Sequence, residues 1–74
     1  MSSIPASGIL RGRVLHFDEP RGLGTVGTDD GRRFDFHCTA IADGTRTIGI
    51  DAEVDFLVVA GHGGRMEAVT LTVR

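Results

Sequence analysis

The sequence predicts an all-β domain, and three observations carry that prediction. Apolar and polar residues alternate with period 2 over most of the chain, and no segment of ten or more residues keeps a 3.6-residue period. Glycine occurs 11 times and, with Pro20 and several aspartates, punctuates the alternating runs at short intervals. The length of 74 residues suits one small domain, whose economical core leaves no room for a deep cleft.

Each element follows in order. Residues 9–17, "ILRGRVLHF", form a first strand, ended by the turn "DEPRG", where Pro20 fixes its own φ and Gly22 permits a positive one. "LGTVGT" is the second strand. "DDG" at residues 29–31 signals a hairpin, and "RRFDFHC" returns as the third strand. Beyond it, "TAIADGTRTIGID" loses the alternation, so a helical turn near residues 39–42 and a long loop are expected. "AEVDFLVVA" is the fourth strand, turned by "GHGG" into a fifth, "RMEAVTLTV". Residues 1–8, rich in Ser with one Pro, read as a flexible N-terminal tail ahead of a domain spanning 9–74.

A three-strand meander, a longer connection and a closing hairpin match a five-stranded antiparallel Greek-key OB-fold barrel. Alternation assigns Val14, Val26, Phe34, Phe36, Ile41, Val54, Phe56, Val58, Val69 and Leu71 to its interior. It turns Leu23, Thr25, Arg33, Asp35 and His37 outward, and these become the functional candidates.

Composition narrows the function. A formal net charge of −2 argues against gripping polyanions by bulk field, although a local basic patch remains open. All eight cations are arginine, which favours planar, bidentate contacts. No apolar run approaches the roughly 20 residues that span a bilayer, and the first ten residues lack a basic n-region and an apolar h-region. The single cysteine, Cys38, excludes an intrachain disulfide, and a cytoplasmic location is expected.

Over residues 12–72 the sequence resembles the bacterial cold-shock domain family. "GRVLHFDEPRGLGTV" sits where the family has a first strand ending in Trp-Phe-Asn and then its glycine-rich ribonucleoprotein motif; "FDFHCTAI" sits where it has V-F-V-H-F-S-A-I. "DGTRTI" resembles the loop before strand four and "EAVTLT" the closing strand. The resemblance implies a barrel of cold-shock-domain type that binds single-stranded RNA or DNA on the face of strands one to three. Carried over position by position, it implies nucleic-acid contacts at Arg13, His16, Phe17, Arg21, Leu23, Thr25, Asp35, His37 and Arg46.

Several of these positions depart from the family. His16 stands at the tryptophan, Leu23 and Thr25 at the phenylalanines of the glycine-rich motif, Asp35 and Cys38 at positions of the second motif, and Thr45 at the loop phenylalanine. Phe17 and His37 are left as ring platforms, with His16 as a small substitute. Stacking is worth roughly 1–3 kcal/mol per base, and a carboxylate at position 35 repels phosphate, so binding is expected to be weak. The alternative is a degenerate OB-fold that no longer binds nucleic acid and contacts a protein or itself through the altered face.

Neither an enzyme nor a metal protein is expected. No nucleophile elbow, phosphate loop or paired-carboxylate motif occurs, so no catalytic residue, cofactor or small-molecule substrate is assigned. Strand alternation sets His37 and Cys38 on opposite faces, and no C-x-x-C or H-x-x-x-H spacing exists.

Overall fold

The computed structural model describes residues 8–44 and 47–74 and shows five strands closing a barrel in the order β1-β2-β3-β5-β4. β1 (Leu10–Asp18), β2 (Leu23–Thr28) and β3 (Arg33–His37) form the antiparallel meander, and β4 (Glu53–Ala60) with β5 (Met66–Val73) the hairpin. β4 returns to pair with β1. The barrel closes where β5 meets β3, and this contact is parallel, through the single register pair Asp35–Glu67. Strand ends fall within a residue of the sequence expectation, and the helical turn is a 3-10 turn at Cys38–Ala40. Residues 1–7 of the expected tail, and Thr45 and Arg46, lie outside the described residues.

The interior is built from Val14, Val26, Phe36, Ile41, Ile48, Val54, Phe56, Ala68 and Leu71. Two of these, Ile41 and Ile48, come from the connection between β3 and β4 and anchor it, while Asp51 N–H donates to the Val14 carbonyl and Val14 N–H to that of Ala52. Phe34 and Val58 are half-buried against this core. Val69, expected inside, is instead only half-buried, and Ala68 takes its place. The reason is an extra residue in β5: Asp55 pairs with Thr72 but Leu57 with Val69, and Thr70 stands at φ 54°. The bulge breaks the period of two, so Ala68 and Leu71 both face inward.

A second bulge shapes β1. Val14 pairs with Val26 and His16 with Thr25, leaving Leu15 without an opposite residue. Leu15 and His16 are both exposed, and the alternation restarts one residue late.

Candidate nucleic-acid interface

The register of β1, β2 and β3 arranges their outward side chains in three rungs. Arg13, Gly27 and Arg33 form the first; His16, Thr25 and Asp35 the second, which Glu67 extends on β5; Asp18, Leu23 and His37 the third. Neighbouring strands lie about 4.8 Å apart, so the three residues of a rung span roughly 10 Å.

The glycines decide what this surface can carry. A Cβ on Gly27 would sit 2.7 Å from Leu15 Cδ1, so the bulged leucine lies over that glycine and covers the first rung. Gly24 faces inward between Phe17 and Phe36 in the register, and a Cβ there would meet Phe36 Cζ at 2.5 Å and the His16 carbonyl oxygen at 2.8 Å. Gly22 holds φ 66°, donates its N–H to the Asp18 carbonyl at 2.8 Å and accepts the Cys38 N–H on its own carbonyl at 2.7 Å. "PRGLGTV" is thus a turn glycine, then one flattened to admit a ring beneath the surface.

Against that ring lies Phe17, expected as a ring platform, which the structure places half-buried. It opposes Gly24 on the inner side and stacks on Phe36, with ring centroids 5.9 Å apart and planes 7° from parallel. The β1 bulge turned it there, so Phe17 supports the surface from below while remaining partly exposed. His16, Leu23, Asp35 and His37 are exposed and Thr25 half-exposed. Leu23 is the large apolar residue of the third rung, 47% exposed. Arg46 lies outside the described residues.

His37 has a second task. Its Nδ1 accepts the Thr39 backbone N–H at 3.2 Å and lies 3.0 Å from Thr39 Oγ1, capping the 3-10 turn. The neutral ring then carries its proton on Nε2, which is the atom left to meet a ligand. Cys38 has left the strand for the 3-10 turn, so alternation does not separate it from His37, and its Sγ lies 3.9 Å from His37 Nδ1. Among the described residues, no three His, Cys, Asp or Glu side chains group as metal ligands.

Charges are mixed. Arg13 pairs with Glu53 at 3.2 Å and Arg21 with Asp18 at 3.6 Å. Both pairs are exposed and worth at most about 1 kcal/mol, so either arginine can exchange its carboxylate for a phosphate at small cost. Arg33 and Asp35 have no ion-pair partner among the described residues. A shallow depression of about 180 Å³ opens beside His16, Asp18, Arg21, Leu23 and Thr25, below the roughly 300–1,000 Å³ of small-molecule pockets. Past His37 the surface continues into an open groove of about 440 Å³ between the 3-10 turn and β5, bordered by Thr39, Glu67 and Thr70.

Leu15 and Glu67 join this surface without having been singled out in the sequence. The signal for Leu15 was present: Val14, Leu15 and Phe17 put three apolar residues in four positions, which a regular half-buried strand does not do. Glu67 gave none, because only the parallel contact of β3 with β5 brings it beside Asp35.

No family model and no curated protein matches this chain. Among solved structures, Drosophila Unr CSD456 superposes with a TM-score of 0.73 at 27% identity, covering 89% of this chain. The chain spans 26% of that chain's length. A closed five-stranded barrel with this strand order and this neighbour has a cold-shock-domain-like OB-fold.

Proposed function

We propose that this domain binds single-stranded RNA or DNA weakly through the outer face of β1, β2 and β3. The observation that carries the reading is the set of rungs itself: on a cold-shock-like barrel, His16, Leu23, Thr25 and His37 stand outward with Arg33 at one end and Arg21 at the other. Imidazole faces and the leucine surface contact bases, and the arginines contact phosphate. Weakness follows from the same rungs. With Leu23 and Thr25 where two stacking rings would stand, at roughly 1–3 kcal/mol per ring, affinity falls by about one and a half to four orders of magnitude. The half-buried free thiol of Cys38 suits a reducing cytoplasm. The reading requires no cofactor, and no catalytic group enters it.

The test is a titration with fluorescent oligothymidine and a mixed-sequence RNA, at low and then at physiological salt. Binding in the micromolar range at low salt, weakening as salt rises, is expected. Absence of binding to both strands at low salt refutes the reading. A second reading, protein contact or self-association, is favoured by one observation on β4 and β5, beside the altered face rather than on it. There Leu57 pairs with Val69, Ile9 and Val59 are exposed, and a small depression is lined by Ile9, Phe56, Leu57, Thr70 and Thr72 with Asp55 at its edge.

A further inference from the structure

The middle rung holds one side chain whose chemistry selects among bases. We infer that Asp35 makes the face prefer guanine over thymine or uracil, an inference that rests on the single-strand-binding reading above.

Asp35 is exposed on β3, opposite Thr25 on β2, with His16 on β1 two strands away. Its side chain makes no hydrogen bond or ion pair among the described residues, so both oxygens remain open to a ligand. Glu67, its neighbour on β5, lies over Gly61 at the turn after β4, where a Cβ would come within 2.6 Å of Glu67 Cγ. Asp35 is therefore the carboxylate that the middle of the face presents.

An ionised carboxylate only accepts hydrogen bonds, and its two oxygens suit a pair of parallel donors. Guanine alone among the bases offers that pair on its Watson–Crick edge, N1–H beside N2–H. Cytosine and adenine each set one amino group next to a ring-nitrogen acceptor. Thymine and uracil flank their one N–H with two carbonyl oxygens, which a carboxylate repels. A base lying over Thr25, with the His16 ring on the β1 side, turns this edge toward Asp35 within the roughly 10 Å width of the rung. Single-stranded ligands leave such edges free for readout. A good bidentate contact of this kind discriminates by about tenfold or more.

The experiment uses the full chain and fluorescence anisotropy at low salt. Three labelled strands are compared: oligothymidine, the same strand with one central guanine, and the same strand with inosine there, which keeps N1–H and lacks the amino group. A single guanine avoids self-association of guanine runs. The expected result is about tenfold tighter binding of the guanine strand, most of it lost with inosine and absent in Asp35→Asn, whose amide cannot accept both donors. Equal affinity for all three strands overturns the inference and leaves single-strand binding standing. A guanine preference that survives in Asp35→Asn overturns the role of Asp35. Absence of binding to every strand overturns both this inference and the reading beneath it.

Discussion

Replacing Gly24 by alanine tests whether the face rests on the ring pair beneath it. The new methyl carbon would stand 2.5 Å from Phe36 Cζ, 2.7 Å from Phe36 Cε1 and 2.8 Å from the His16 carbonyl oxygen. Phe36 is 2% exposed and stacked on Phe17, so its ring has nowhere to retreat. Overpacking of this kind costs about 1–3 kcal/mol. The stiffer unfolded chain offsets about 0.4–1 kcal/mol of it, leaving a net loss of about 1–2 kcal/mol. A domain of 74 residues holds about 4–11 kcal/mol in all. The loss corresponds to a fall in Tm of about 4–16 °C.

The chain has no tryptophan or tyrosine, so unfolding is followed by far-ultraviolet circular dichroism in urea and on heating. Gly49→Ala is the control, since nothing lies within 4 Å of its Cβ position; that substitution is expected to be neutral or to stabilise by about 0.4–1 kcal/mol. Phe36→Leu combined with Gly24→Ala is expected to cost less than the two changes summed, because the smaller side chain vacates the clash. Gly24→Ala as stable as the parent protein, or less damaging than Gly49→Ala, refutes the packing argument.

Truncating Arg33, which no carboxylate engages among the described residues, weakens oligonucleotide binding and lowers the salt slope by about 0.7. Arg21→Ala lowers it less, because Asp18 already engages that side chain; unchanged slopes in salt titrations of both variants remove these arginines from the interface. In the β2–β3 turn, the hydrogen bond from Thr28 Oγ1 and then those from Arg32 hold the Asp30 carboxyl at about 2, below its ordinary 3.8. A lowered pKa stabilises the fold above the unfolded value and loses that contribution as pH falls from about 4 toward 2. Asp30→Asn therefore flattens the acid limb of a plot of Tm against pH; an unaltered limb counts against the turn network. Thr70→Gly relieves a β-branched residue at φ 54° and is expected to leave stability unchanged or raise it by up to about 1 kcal/mol in urea melts, where glycine in a regular strand costs about that much.

Most of the barrel was legible because alternation and glycine-marked turns are local signals. Val14, Val26, Phe36, Val54, Phe56 and Leu71 fall inside as their positions in the alternating runs require. The errors gather at the bulges. One extra residue at Leu15 shifts the alternation and half-buries Phe17 against Phe36, and one at Thr70 exchanged Val69 for Ala68. A bulge depends on pairing between strands, so a strand seen alone carries little sign of it. Ile48 escaped notice because it enters the core from a connection with no periodicity. The outward residues of β2 and β3 were legible, since those strands pair without interruption, whereas the neighbourhood of Asp35 and Glu67 exists only once the barrel has closed.

That closure is uneven. β4 and β5 share six register pairs and β2 and β3 five, while β3 and β5 share one, helped by the isolated bridge from Ile41 to Leu71 and the bond from Ala42 N–H to the Leu71 carbonyl. Regions with few backbone hydrogen bonds open at the lowest free energy. The wall therefore has a seam, and breathing along it separates the β4–β5 hairpin from β3 while the β1–β2–β3 meander keeps its ladder. In hydrogen exchange the amide of Ala42, which donates across this seam, would lose protection before those of Gly24 and Val26. The domain would yield first at its join, and last in the sheet that carries the face.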